Sequence, residues 1–210
     1  MSYRIAVDTG GTFTDVVVAD AEGHLVVGKS LTTPERTYDG FSAALANAAE
    51  IISVPVENLL GETEVLIYGT TRSTNSIVEK KTAKTALLLT KGFPDILLYR
   101  QGGKREPLNL VMEFPPPYVP RRLTFEIPER INAEGGIETA LDEAVARDII
   151  VGLAKMNIEA VAVSLLWSIA NSAHEKRLGE LIAEILPDIP YTLSHQLNPI
   201  IREYPRTSST

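Results

Sequence analysis

Asp8 and Asp15 bracket a turn made of Thr9, Gly10, Gly11, Thr12, Phe13 and Thr14, within the stretch V-D-T-G-G-T-F-T-D-V-V-V that runs from Val7 to Val18. Glycines at such a tip permit positive φ and leave backbone amides open. Consecutive N–H groups in a turn form a concavity that binds anions, and the hydroxyls of Thr12 and Thr14 can add donors. A carboxylate at the end of a strand does not bind phosphate directly. It holds Mg²⁺, usually through water, and the metal then meets the phosphates. On composition alone two readings fit about equally: an ordinary hairpin with polar ends, or a nucleotide-phosphate turn with metal. The segment is neither a G-x-x-x-x-G-K-[ST] loop nor a G-x-G-x-x-G fingerprint, and strands rather than a strand and a helix flank it.

Further groups with chemical potential lie along the chain. Gly69, Thr70 and Thr71 follow a short apolar strand and open a helix, where free N–H groups and hydroxyls cap the helix or bind an anion; Asn75 stands one turn on. Arg100, Lys104 and Arg105 lie in a glycine-bearing loop and are either solvated surface charge or a cradle for a carboxylate, bicarbonate or phosphorylated intermediate. Of the three histidines, His195 in Leu-Ser-His-Gln is the candidate for a substrate contact, set against a hydrogen-bonded structural role. His24 reads as a surface strand residue and His174 as a structural residue in the first turn of a helix. The spacing of the three gives no H-E-x-x-H signature. Arg202, Glu203 and Arg206 read as a surface ion cluster.

The elements that must position these residues follow from periodicity. Tyr3 to Val7, Thr14 to Ala19 and His24 to Leu31 read as three strands joined by hairpins. In Thr-Thr-Pro-Glu, Thr32 with Glu35 fits a capping box, and the helix it would start runs to about Ile52 with Phe41, Leu45, Ala48 and Ile52 on one face. Strands at Glu64 to Tyr68 and Thr85 to Leu89 alternate with helix-compatible segments up to about Lys81 and at Lys91 to Leu98. The stretch Gln101 to Pro120 holds Gly102-Gly103, Pro115-Pro116-Pro117 and Pro120 and is no regular element. Strand character returns over Leu123 to Ile131. A helix over Asp142 to Met156, a strand over Ala160 to Leu166, and a helix over Asn171 to Leu186 with Ser172 and Glu175 as a capping box complete an α/β rhythm. A short strand at Tyr191 to Leu193 and a helical piece around Asn198 to Tyr204 follow. The expected organisation is α/β: a unit over residues 1–100, a Pro/Gly-rich connection over 101–122 and a second, smaller α/β unit over 123–210. Thr207 to Thr210 reads as a loop cut in mid-phrase, so the chain is expected to be a piece of a longer polypeptide.

Composition narrows the class. The 210 residues are 44% hydrophobic and 22% charged, which is globular, and the net charge of −7 disfavours a nucleic-acid backbone as partner. With no cysteine, the chain has neither disulfides nor thiolate chemistry. Neither a secretory signal nor a bilayer-spanning apolar run is visible, so a cytoplasmic location is expected.

D-x-G-G-T-x-x-D after an N-terminal strand resembles the first phosphate motif of the actin-like ATPase and sugar-kinase superfamily. The longer R-I-A-V-D-T-G-G-T-F-T-D is similar to the N-terminus of the hydantoinase A / 5-oxoprolinase family, which includes acetone and acetophenone carboxylase subunits. Y-G-T-T-R-S-T-N (Tyr68 to Asn75), T-K-G-F-P-D (Thr90 to Asp95), P-P-P-Y-V-P-R-R with E-I-P-E-R-I, A-V-A-V-S-L-L-W-S, N-S-A-H-E, and L-S-H-Q with R-E-Y-P-R-T-S-S-T resemble that family's segments in the same order. Tyr68 stands where the family often has His. Tyr99 to Glu106 departs from the G-N-Q-x-R-P of the oxoprolinase branch, which leaves the hydantoinase and carboxylase branches. The resemblance implies a ribonuclease H-like (actin-like ATPase) mixed sheet with helices on its faces. It implies the N-terminal part of a subunit that uses ATP and Mg²⁺ to drive cyclic-amide hydrolysis or ketone carboxylation, with a hydantoinase B-like partner subunit. Gly10, Gly11, Thr12 and Thr14, with Gly69, Thr70, Thr71 and Asn75, would meet the nucleotide. Asp8 and Asp15 would be the catalytic, metal-holding pair. A small-molecule kinase and a non-catalytic assembly module are the alternatives.

Overall fold

The computed structural model describes residues 2–103, 106, 108–111 and 113–210. The chain divides into two compact units, residues 1–82 and 83–210. The division falls earlier than the expected boundary near residue 100, because the strand over Thr85–Thr90 pairs with later strands and not with the N-terminal ones.

The first unit contains β1 (Tyr3–Thr9), β2 (Phe13–Ala19), β3 (Leu25–Leu31), α1 (Thr37–Ile51), α2 (Val56–Gly61), β4 (Thr63–Thr70) and α3 (Arg72–Val78). Its sheet runs β3-β2-β1-β4, antiparallel except for the parallel β1–β4 pair. Strict alternation in β1 buries Tyr3, Ile5, Val7 and Thr9 and exposes Arg4, Ala6 and Asp8. The buried residues of β1 and β2 pack with Ala44, Leu45, Ala48 and Ala49 of α1 and with Leu59 of α2. Alanines on the inner face of α1 let it lie close on the sheet. A Cβ at Gly28 of β3 would stand 2.0 Å from the Ala44 carbonyl oxygen and 2.6 Å from the Ala48 nitrogen. Helices on both faces were expected. Among the described residues of this unit, α1 and α2 cover one face, and α3 has no buried residue.

The start of α1 also differs from expectation. No side chain caps it at Arg36. Thr33 takes the role instead, its Oγ1 accepting from the Gly40 N–H at 3.0 Å, while the Thr32 hydroxyl turns to the β1–β2 connection. No Thr32–Glu35 capping box forms.

The second unit contains β5 (Thr85–Thr90), α4 (Ile96–Tyr99), a 3-10 turn (Arg121–Leu123), β6 (Thr124–Ile127), β7 (Arg130–Ile131), β8 (Ile137–Thr139), α5 (Glu143–Ala154), β9 (Ala160–Ser164), α6 (Ala173–Ile185), β10 (Tyr191–Leu193), α7 (Ser194–Leu197) and α8 (Glu203–Ser209). A parallel sheet runs β10-β9-β5-β6. Its central strand β5 is apolar and buried on both faces, as a parallel strand covered from both sides must be. Ala86 and Leu88 pack with α5 and α6; Leu87 and Leu89 pack with Leu97 and Ala162. The helix expected over Asp142 to Met156 starts at Glu143, and Asp142 caps it, accepting from the Val145 N–H. Arg177 of α6 donates to Glu143 of α5 at the surface and holds that carboxyl below its ordinary range. The polar run ending the chain is helical through Ser209, not a loop. No helix among the described residues is long and apolar enough to cross a membrane.

Candidate functional site

The β1–β2 connection is built for space rather than for unusual backbone. Neither Gly10 nor Gly11 has positive φ, contrary to the expectation for a glycine tip. What they provide is close approach: a Cβ at Gly10 would stand 3.2 Å from the Phe13 carbonyl oxygen, and one at Gly11 would stand 3.1 Å from Asn75 Nδ2. The Gly10 N–H donates to Phe13 O at 2.9 Å, and the Thr32 hydroxyl donates to Gly10 O at 3.0 Å. The Gly11 and Thr12 N–H groups and the Thr12 hydroxyl meet no acceptor among the described residues. These three donors make the open part of the turn.

Asp8 and Asp15 are direct cross-strand partners, so their carboxylates share the face opposite α1. Like charges placed so are unfavourable unless a cation answers them. Lys29, across from Asp15 on β3, donates to Asp15 at 2.8 Å and also lies over the Phe13 ring. Asp8 is exposed and pairs with no cation or donor among the described residues. One carboxylate is therefore compensated and the other free. No group of three or more His, Asp or Glu side chains gathers among the described residues. A cation here would take most of its ligands from water and from a bound anion, which is how Mg²⁺ is commonly held. Of the two carboxylates, Asp8 is the one left free for such an ion.

Thr14 faces the other way. It is fully buried toward α1, and its hydroxyl bonds with Thr32 at 3.0 Å. Its part is to hold Thr32, which holds Gly10. Sequence reasoning assigned Thr32 to a helix cap and missed this; Lys29 was missed because hairpin register is not written in any one residue.

Gly69, Thr70 and Thr71 come to the same end of the sheet, since Asp8 pairs with Gly69 and Thr9 with Thr70. Their groups are largely occupied by bracing: Thr70 Oγ1 donates to Thr9 O at 3.2 Å, the Thr71 N–H donates to the same oxygen at 3.2 Å, and Asn75 donates to Thr71 Oγ1 at 3.2 Å. Thr9 in turn donates to Tyr68 Oη at 3.0 Å. The structure thus brings the two predicted anion segments side by side, with Asn75 beside Gly11.

The remaining candidates lie in the second unit. Arg100 ends α4 with φ +58, and its Nε is buried without a partner. Lys104 and Arg105 lie outside the described residues. His195 Nδ1 meets Glu175 at 2.6 Å, and His174 Nδ1 meets the buried Glu129 at 2.8 Å, so both histidines serve internal networks. Glu175 was expected to complete a capping box with Ser172. Instead it is fully buried, and no side chain caps α6. Arg206, expected at the surface, is fully buried, donating to Leu165 O at 3.1 Å and Ile200 O at 2.8 Å and pairing with Glu203. His24 is exposed beside Asp20, whose carboxylate raises the pKa of the imidazole.

The profile of the hydantoinase/oxoprolinase N-terminal region matches residues 4–186. The alpha subunit of caprolactamase from Pseudomonas jessenii is 35% identical over 99% of this chain and 30% of its own length. The gamma subunit of acetophenone carboxylase from Aromatoleum aromaticum is 35% identical over 97% of this chain and 29% of its own. Among solved structures, nucleotide-free acetone carboxylase, from work on the mechanism of ATP-dependent acetone carboxylation, superposes with a TM-score of 0.91 at 28% identity, covering 99% of this chain and 31% of that one. The chain spans about 30% of the length of these relatives.

Proposed function

The chain belongs to the hydantoinase/oxoprolinase family, and from that premise we propose that it forms the phosphate-binding part of an ATP-dependent enzyme subunit acting on a cyclic amide or a ketone. The observation that carries this reading is the Gly10–Thr12 turn, whose open donors lie beside the unpaired Asp8 carboxylate. Two relatives are described as ATP-dependent enzymes, an acetone carboxylase and a caprolactamase. The order β3-β2-β1-β4 supports treating the first unit as a ribonuclease H-like sheet of the actin-like kind.

In this reading the Gly11 and Thr12 N–H groups and the Thr12 hydroxyl donate to phosphate oxygens. Preorganised donors of this kind stabilise charge that develops during phosphoryl transfer without reorganising. Asp8 is the residue that would hold Mg²⁺, with Asp15 beside it and balanced by Lys29. The ion, when bound, supplies positive charge to the phosphates. Thr14, Thr32, Thr70 and Thr71 keep the turn and the β1–β4 edge in place. A partner subunit resembling hydantoinase B completes the assembly; the relatives named as alpha and gamma subunits support a multi-subunit enzyme. We place the protein in the cytoplasm.

Asp8→Ala in the complete enzyme tests the reading. Asp8 is exposed and makes no contact the sheet depends on, so the variant should keep its far-UV circular dichroism and melting temperature while losing ATP turnover. ATP hydrolysis at the wild-type rate would overturn the assignment. Calorimetry with Mg-ATP on the 210-residue chain separates a complete site from an assembly module, which would show no heat of binding.

A further inference from the structure

The second unit contains a cavity that the nucleotide reading does not use. Its volume is about 660 Å³, within the range of small-molecule sites. Three guanidinium side chains line it, those of Arg100, Arg130 and Arg202, together with the aromatic rings of Phe93, Trp167 and Tyr204.

The charge of this wall is one-sided. Glu203, the one carboxylate lining the cavity, is already paired with the buried Arg206. Arg130 reaches Glu138 only at 4.0 Å and lies over the Phe93 ring at 4.9 Å. Arg202 makes no ion pair among the described residues. Arg100 makes no ion pair among the described residues, and its buried Nε has no acceptor, so its charge is not answered within the protein. In a chain of net charge −7, three guanidiniums around one cavity, two of them without an ion pair among the described residues and the third paired only at 4.0 Å, are a local reversal of sign.

The backbone adds an independent sign. Arg100 and Trp167 both take positive φ, +58 and +55. Neither is a residue that tolerates that region readily, and such strain gathers where side chains are held for a purpose. Trp167 is fixed there because its carbonyl accepts from both the Ala170 and Asn171 N–H groups, at 2.9 and 3.1 Å. The Leu166 N–H next to it is tied to Thr90 at 2.9 Å.

We propose that this cavity binds a small organic oxyanion, a carboxylate or phosphate ester carried on an apolar or planar body. The guanidiniums would take the oxygens in charge-assisted hydrogen bonds, and Trp167, Phe93 and Tyr204 would pack the body. This goes beyond the nucleotide reading, because every residue of the wall belongs to the second unit and none is a phosphate-turn residue.

Trp167 is the chain's only tryptophan, so its fluorescence reports on this cavity alone. Benzoate, phenyl phosphate and the uncharged benzamide are titrated in turn to ~10 mM, a range that reveals dissociation constants in the millimolar regime. A saturable change with benzoate or phenyl phosphate is expected, and the tighter of the two assigns carboxylate or phosphate. Trp167→Phe should abolish the signal. Arg202→Gln and Arg130→Gln should each weaken binding about tenfold or more, the scale of one lost charge-assisted hydrogen bond. Arg202 is exposed, so its variant keeps the fold and the test stays decisive even if Arg130→Gln does not express. No Trp167-dependent change with either anion, benzamide binding as tightly as benzoate, or unchanged affinity in Arg202→Gln would overturn the proposal. Mg-ATP turnover in Arg202→Gln, measured in the complete enzyme, keeps failure here distinct from failure at the phosphate turn.

Discussion

Glu175 shows what a single buried charge must be given. Its carboxylate accepts from the Leu165 N–H at 2.8 Å, Ser194 Oγ at 2.6 Å, the His195 N–H at 3.1 Å and His195 Nδ1 at 2.6 Å. Ser194 Oγ in turn accepts from Arg206 Nε at 3.2 Å. A carboxylate removed from water is tolerable only when so fully partnered, and deleting it strands every donor at once. Glu175→Ala should therefore cost about 3–5 kcal/mol of unfolding free energy in urea, the range for breaking a buried charge pair. Glu175→Gln should cost less, because it keeps the shape and one acceptor. An Ala variant within ~1 kcal/mol of wild type would mean that the network is not holding α6, β9 and α7 together. None of this was legible beforehand. A Ser followed three residues later by Glu at a helix start reads as a capping box, and nothing local says that the glutamate side chain points into the core. The same holds for Arg206, whose neighbours Arg202 and Glu203 suggest a solvated cluster. By contrast, the Asp8–Asp15 turn was legible as a candidate because its residue types exceed what a hairpin needs. The open donors of Gly11 and Thr12, and the inward turn of Thr14, are set by tertiary contacts with Thr32 and α1 that no local pattern encodes.

At the scale of elements, α1 lies closer on β3 at Gly28 than at any other glycine of the first unit. Gly28 has ordinary φ, so only space demands glycine there, and the atoms that a Cβ would meet are backbone atoms of α1. Backbone cannot swing aside as a flexible side chain can. Gly28→Ala should displace α1 and destabilise the unit by about 3 kcal/mol, toward the upper end for overpacking, read as a lowered urea midpoint with the m-value kept. A midpoint unchanged from wild type would show that α1 is free to slide. Period-two alternation made β1 and β2 readable, and spacing on one face made α1 readable, because each pattern is enforced by a neighbouring layer. The start of α1 was misread because Thr32 and Thr33 are both competent caps and only tertiary contact decides between them. β5 was readable as a strand through its unbroken apolar run. Its partners were not, since a parallel strand's neighbours are fixed by crossovers far along the chain. That is why the boundary between units falls at Thr82 and Ala83 rather than near the glycine- and proline-rich loop.

At the scale of the whole chain, β4 stands out. Val65, Leu66, Ile67 and Tyr68 form an unbroken apolar run of the kind that ordinarily marks burial on both faces, yet all four are exposed, Ile67 at 63%. β4 is also an edge of its sheet. Leu66 and Tyr68 share the face of Ile5 and Val7, and Val65 and Ile67 share the face of Arg4 and Ala6. Among the described residues β4 thus leaves one edge of its backbone without a strand partner along an apolar run, the feature that lets one sheet pair with another. As concentration rises, the 210-residue chain should self-associate through this edge, seen as growing weight-average mass in sedimentation or light scattering. Ile67→Lys places a charge on that strand at a position where little packing is lost. It should suppress the association while shifting stability by no more than ~0.5 kcal/mol, as exposed substitutions usually do. Association that persists undiminished in Ile67→Lys would place the contact elsewhere. A fall in stability well beyond that bound would show that Ile67 packs against something in solution, so the two readouts together separate an open edge from a covered one.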